Sequence, residues 1–292
     1  MSAILAIDLG GTRLRAGIAP IDNPAMVAPV GEWAAPQDLA AFREQLEGLV
    51  ATHGATRLGL GIPGLARGTS CVWVPNLGYL DGSDLTQLFP GLSIGLGNDA
   101  QLALLAEVSA GAASGLSDAI LLAIGTGIGS AVFSGGRIVK GANGGACSFG
   151  WASADVDDPG EDRSGWLERH ASGRALDAAA ASIGLAGGAA LINAARSGAP
   201  AAIAAREGPM RVLGTARAGA VALLDPQTLI LAGGVASATD IVAPPLLAAL
   251  RRHLPPHLRT IDVQAGAFGP QAGLVGAAFA GQAGPRWGDL HG

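Results

Sequence analysis

Two short stretches of this chain echo one another. LAIDLGGT begins at Leu5 and LAIGTGIG begins at Leu122, and each reads as an apolar strand that breaks at glycine and resumes as a second strand. One strand–turn–strand unit occurring twice far apart, rather than at a short fixed period, points to duplicated halves and not to a solenoid. A chain of 292 residues has room for one large domain or two medium ones, each with an ample core.

The segments between the echoes suit that reading. DLAAFREQLEGLVATHG carries Leu39, Phe42, Leu46, Leu49 and Val50 at helical spacing, with Gly54 as its stop. RLGLGIPGLARG reads as a short buried strand running into a Pro-Gly turn, and LSIGLGNDAQLALLAEV as a strand, an Asn98-Asp99 corner and a helix. LLDPQTLILAGGVA is a helix end, a loop, a strand and a glycine pair, and GPQAGLVGAAFAG is an apolar helix near the C-terminus. The hinge-like GAASGLSD places a boundary near Gly115 to Ser117. The expected organisation is an α/β protein with one domain over residues 1–116, completed by the helix 271–282, and a second over 117–270.

Composition removes several function classes. Net charge is −5, no basic stripe is present and aromatics are 4% of residues, which argues against nucleic acid as a partner. Apolar runs are short and glycine-broken, none approaching the roughly 20 residues that cross a bilayer, so no membrane partner is expected. The start MSAILAIDLGG has no basic region before its apolar run, so no signal peptide is expected and the location reads as cytoplasmic. Cys71 and Cys147 lie far apart, which excludes a disulfide framework and a cysteine-rich zinc site.

Glycine needs care as a signal. The chain has 46 glycines, so an isolated Gly-Gly carries little information, and only glycines placed by context count. Asp8 closes the first strand and is followed by Gly10, Gly11 and Thr12. Backbone N–H groups at such a turn can approach phosphate oxygens, Thr12 adds a hydroxyl, and Asp8 fits there as a Mg²⁺ carboxylate acting through water. The same residues also suit a plain hairpin with a solvated aspartate. Gly125, Thr126, Gly127 and Gly129 form the matching turn in the second echo, so the two together could hold one polyphosphate. Gly233 and Gly234 follow the strand TLILA, as a backbone approach to a nucleoside or as a helix-packing pair. Asn98 and Asp99 are ordinary helix N-cap residues; the functional alternative makes Asp99 the base that takes a proton from a substrate hydroxyl during phosphoryl transfer.

Taken in order, AIDLGGTRLRAGI, GIPGLARG, VPNLGY, GNDAQLALLAE, LAIGTGIGSAVFSGGRIVKGANGGA, WLERHASGRAL, LILAGGVA and GPQAGLVGAA resemble the ROK family of sugar kinases, from about Ile4 to Phe279. That resemblance implies an actin-like (ribonuclease H-like) fold of two α/β domains, with sugar and Mg-ATP meeting in a central cleft. It makes Asp8, Gly10, Gly11 and Thr12 the first phosphate motif, Gly125, Thr126, Gly127 and Gly129 the second, and Gly233 and Gly234 the adenosine loop. Asn98 would hold a sugar hydroxyl, Asp99 would be the catalytic base, and Gly64 and Asn76 would border the sugar. The implied reaction is ATP-dependent phosphorylation of a hexose or hexose derivative, carried out by a homodimer. The alternative is a catalytically inactive sugar and nucleotide sensor of the same fold, without a DNA-binding domain, because a first strand at about Ala3 leaves no room for one.

The stretch GANGGACSFGW departs from the family pattern. Family members run G-x-G-E-x-G-H there, then a cysteine-rich zinc segment, then G-C-x-E before a helix. Here Cys147 stands at a glycine, Ser148 at the glutamate, Trp151 at the histidine and Trp166 at the later cysteine, while Glu168 keeps its place. No zinc site is expected. Trp151 and Trp166 are expected to fasten the loop instead, by burying aromatic area against each other or the domain. The acidic residues of ASADVDDPGEDRSG read as a solvated loop, Cys147 as a small buried hydrophobe, and His170 as helix surface. Ser148, Trp151 and Glu168 then complete the sugar pocket, with hydroxyl contacts altered enough to change selectivity.

Overall fold

The protein is described here by a computed structural model covering residues 3–288. Along the chain run β1 (Ala3–Leu9), β2 (Arg13–Pro20), β3 (Ala28–Ala34), α1 (Leu39–His53), β4 (Ala55–Ile62), β5 (Leu65–Arg67), β6 (Ser70–Trp73), α2 (Leu85–Leu88), β7 (Ser93–Asn98) and α3 (Asp99–Ala110). There follow β8 (Ala119–Ile124), β9 (Ile128–Ser134), β10 (Arg137–Ile138), α4 (Trp166–Ala171), α5 (Gly173–Ala181), α6 (Gly188–Arg196) and α7 (Pro200–Leu224). The last elements are β11 (Thr228–Ala232), α8 (Thr239–Arg252), β12 (Val263–Ala265) and α9 (Ala272–Ala283). Two compact units result. One comprises the chain through Gly115, Ala131–Ala146 and the segment from Pro270 onward; the other comprises Leu116–Ser130 and Cys147–Gly269.

The first unit is built on a five-stranded sheet of order β3-β2-β1-β4-β7. β1 and β2 form an antiparallel hairpin that sets Asp8 opposite Arg15, while β1, β4 and β7 run parallel. Their register pairs Asp8 with Gly61 and Ile62 with Asn98, so the carboxyl ends of all three strands lie along one edge. Ligands gather at such edges in open α/β sheets. The core beneath is apolar by alternation and by helix spacing: Leu5, Ile7, Leu58 and Leu60 from the strands meet Phe42 and Leu46 of α1. Phe42 stands edge-on to Phe89 with ring centroids 6.0 Å apart. Helix α9 packs on this sheet through missing side chains, because a Cβ on Gly59 of β4 would lie 1.7 Å from the Ala277 carbonyl oxygen. Only glycine permits that approach.

A second five-stranded sheet has the order β10-β9-β8-β11-β12, and the division between the units falls within β9, after Ser130. β11 pairs in parallel with both β8 and β12. Every residue of TLILA in β11 is buried and AILLAI in β8 nearly so, the continuous apolar pattern that strands covered on both faces require. Gly233 ends β11 with φ +74, and a Cβ there would lie 2.7 Å from the Ile124 carbonyl oxygen at the end of β8. The sequence reading found no apolar stretch long enough for a bilayer, but the helical run Gly233–Arg252 passes that test by length and composition. Half of it is buried within the second unit, as a core helix would be.

Candidate active site

In the first unit the strand edge assembles Asp8, Gly10–Thr12, Gly64, Asn76, Asn98 and Asp99. Gly10 N–H donates to the Arg13 carbonyl at 2.8 Å, closing the β1–β2 turn. Gly11 carries no side chain where a Cβ would lie 2.9 Å from Cβ of Asn76, so the turn and Asn76 sit against each other. Thr12 is exposed, and its carbonyl accepts from Ala35 N–H at 2.9 Å. Gly64 presses on the β6 end, its absent Cβ 2.2 Å from the Trp73 carbonyl oxygen, and its own carbonyl accepts from Asn98 Nδ2 at 3.2 Å. The Asn98 Oδ1 accepts from Ala100 N–H at 3.0 Å and from Gln101 N–H at 3.4 Å, capping α3. One amide thus ties the Gly64 loop to the helix that bears Asp99.

Asp99 is the first residue of α3 and accepts from Ala100 N–H at 2.7 Å. Its carboxyl is crowded by protein while the residue keeps an open face to solvent. Loss of hydration, followed by the negative charge of Asp8, pushes that carboxyl up to about 6, against the pull of the Ala100 and Asn98 hydrogen bonds. Asp8 is mostly buried and makes an ion pair with Arg15, whose guanidinium also donates to the Pro270 carbonyl at 2.8 Å. The far side of Asp8 is closed by α9, where a Cβ on Gly273 would lie 2.7 Å from Oδ2. Arg15 escaped the sequence reading, although the pairing of a hairpin with its turn at Gly10–Thr12 places it opposite Asp8.

In the second unit the Gly125–Gly129 turn joins β8 to β9. Gly125 N–H donates to the Gly127 carbonyl at 3.0 Å, and the Gly125 carbonyl accepts from Gly173 N–H at 2.8 Å at the start of α5. Gly127 is required by Glu168 of α4, whose Oε1 would lie 2.8 Å from a Cβ at that position. Gly129 lies within β9. Beside this turn is a pocket of about 460 Å³ lined among others by Thr126, Arg174, Asp177, Asn193, Gly234 and Val235. Apolar walls from Ile124, Leu176, Ile192 and Ala238 surround it, the composition that suits a flat organic ring with a few polar anchors.

The departure loop behaves differently from its sequence reading. Trp166 is buried and stacks on His170 with ring centroids 4.7 Å apart, so His170 is part of the fastening. Trp151 stays 49% exposed, and among the described residues it makes no ring contact with Trp166. Gly165 packs against the Trp151 backbone, where its absent Cβ would lie 2.2 Å from the Trp151 Cα. The acidic stretch is largely solvated as expected, except that Asp158 and Glu161 bind Arg169 at 2.6 and 3.3 Å. Cys147 is half-buried and holds φ +68, the left-handed backbone that glycine adopts freely. Ser148 is exposed. Among the described residues no cluster of three or more His, Cys, Asp or Glu is close enough to hold a metal ion.

The family model for the ROK family matches residues 4–282. The chain belongs to the ROK family. The glucokinase of Streptomyces coelicolor is 28% identical to it over 95% of this chain and 97% of that protein. The N-acetylmannosamine kinase of Shigella flexneri is 32% identical over 96% and 98%. Among solved structures, a ROK family glucokinase from Streptomyces griseus in complex with glucose and AMPPNP superposes with a TM-score of 0.80 and 26% identity, covering 97% of this chain and 100% of that one. The fold is accordingly the actin-like two-domain fold of ROK sugar kinases. Cys147, in the left-handed region, stands where the resemblance puts a glycine, the residue better suited to that backbone.

Proposed function

We propose that this ATP-dependent carbohydrate kinase of the ROK family phosphorylates a hydroxyl of a hexose or hexose derivative, with Asp99 as the general base. The observation that carries the reading is the setting of Asp99: a carboxyl at a helix start, braced by Asn98 and raised to about 6. A carboxylate of that value is ionised at neutral pH and is a better proton acceptor than an ordinary aspartate. Asn98 is tied through Nδ2 to Gly64 and to the Asp99 carboxyl, which in this reading sets it beside the acceptor hydroxyl. Gly64 and Asn76 border the acceptor in this reading, joined by Ser148, Trp151 and Glu168.

Nucleotide is assigned to the pocket of the second unit, its phosphates to the Gly125, Thr126, Gly127 and Gly129 turn and its nucleoside to Gly233 and Gly234. Gly11 and Thr12 of the β1–β2 turn border the polyphosphate in this reading, the Gly10 N–H being committed to the Arg13 carbonyl. The donor set also fits Mg²⁺. Asp8, whose negative charge is the second cause after burial in raising Asp99, would hold a hydrated cation there. When bound, magnesium supplies charge neutralisation at the phosphates. Asp99 accepts the hydroxyl proton, Asn98 orients the acceptor, and the glycine turns direct N–H dipoles at the transferring phosphoryl group. The acceptor is a small sugar; with a net charge of −5 and no basic stripe, neither nucleic acid nor a membrane is a partner, and we place the enzyme in the cytoplasm as a homodimer without zinc.

The test is ADP release from Mg-ATP across hexoses, ketoses, amino sugars and N-acetyl sugars, with Asp99→Asn alongside. The expected result is a sugar-dependent rate that falls about 10²- to 10⁴-fold in the variant. A variant that turns over near the wild-type rate would sink the assignment. Tight ATP binding with no turnover on any acceptor would favour the sensor instead.

A further inference from the structure

Two arginines line the second-unit pocket, and they differ in how firmly they are held. Arg196 is gripped by both oxygens of Asp240, at 2.9 and 2.8 Å, and carries a third bond to the Ser237 carbonyl. This fork-on-fork pair, though 41% and 56% exposed, engages two of the guanidinium nitrogens of Arg196. Arg174 is held by one Glu168 oxygen at 2.6 Å and by the Thr126 carbonyl, to which Nε donates at 3.1 Å. Its side chain is 60% exposed, so its other guanidinium donors remain accessible. An ion pair this exposed adds little stability and can be exchanged for a stronger anion.

The surroundings say what that anion is. Arg174 is the second residue of α5, a nine-residue helix whose start lies at the Gly125 turn. Helix starts attract negative charge. Against Arg174 stands the Glu168 carboxylate, seated on Gly127 and only 20% exposed, while Asp177 elsewhere in the pocket accepts from Gly188 N–H at 2.7 Å. A carboxylate beside a phosphate turn opposes a polyphosphate, both by repulsion and by occupying the guanidinium.

We propose that Arg174 recognises the terminal phosphates of the bound nucleotide, and that Glu168 competes with those phosphates for its guanidinium. This rests on the assignment of the pocket to nucleotide made above. Arg174 then sets the preference for tri- and diphosphates over monophosphate, while Glu168 restrains affinity when no acceptor is present.

The test is isothermal titration of the full-length protein with Mg-ATP, Mg-ADP and AMP, with no sugar present. Arg174→Gln is expected to weaken ATP about tenfold while AMP changes by less than about twofold, with Arg174→Lys between. Glu168→Gln is expected to tighten ATP severalfold, a change that damage to the fold would not produce. The proposal is overturned if Arg174→Gln binds ATP as wild type, if AMP weakens equally, or if Glu168→Gln weakens ATP. Because no acceptor is present, these outcomes are independent of turnover. A protein that binds ATP in this Arg174-dependent way but phosphorylates no sugar would sink the kinase reading alone.

Discussion

Arg217 of α7 offers the sharpest stability test. It is 2% exposed, its Nε and one terminal nitrogen have no hydrogen-bond partner, and its guanidinium lies 4.0 Å over the Phe149 ring. Burial lowers it from the ordinary arginine value down to about 9, with only Cys147 acting in the opposite direction. That drop corresponds to about 5 kcal/mol of penalty on the charged form at neutral pH. The aromatic face returns about 2 kcal/mol of it. Arg217→Met fills a similar volume without the charge, so the variant should gain roughly 3 kcal/mol, within the range seen when buried ions are replaced by well-packed apolar groups. Urea unfolding followed by circular dichroism measures this as a higher midpoint at unchanged slope. Since the folded-state value is the lower one, the penalty is fully present below about 9, and the gain should shrink as pH rises through that value. A variant less stable than wild type by 1 kcal/mol or more would refute the reasoning, because it would mean the guanidinium is well compensated in the folded protein.

Other expectations are equally direct. The turnover rate on a saturating sugar should fall as pH drops through about 6, because Asp99 must be ionised to accept a proton, and Asp99→Asn should erase that limb. Gly276→Ala would place a Cβ 1.8 Å from the Leu102 carbonyl oxygen, where α9 meets α3, so it should cost about 3 kcal/mol or abolish folding, read as a lowered urea midpoint. Iodoacetamide on the native protein, followed by peptide mass mapping, should modify half-exposed Cys147 and spare Cys71, a fully buried thiol that burial, with help from Asp81 and Asp84, pushes up to about 12.

Much of this molecule is local, and local features are legible. The β1–β2 hairpin around Gly10, α1 with its Gly54 stop, and the Asn98 cap of α3 follow from periodicity and breaker residues that act within a few positions of themselves. Family membership was legible for the same reason, since glycine turns of fixed spacing survive as strings. The helices α5 and α6 were not marked, because each is only nine residues long and starts without a side-chain cap, so the start signal is missing.

Tertiary structure decided what depends on distant partners. Arg174 meets Glu168 only because the chain breaks between α4 and α5 at Ser172 and restarts at another angle. Gly59 and Gly276 look like any other glycines among 46 until α9 is laid against them. Trp151 and Trp166 carry the same side chain, yet one is exposed and one buried, since burial is a property of the surroundings and not of the residue. The sequence by itself determined the elements with local signals, such as the β1–β2 hairpin, α1 and the capped start of α3, and which chemistry they can carry. Which charges are matched, which carboxyl is raised and which arginine stays available depended on the fold, because electrostatics and steric contact act across space without regard to separation along the chain.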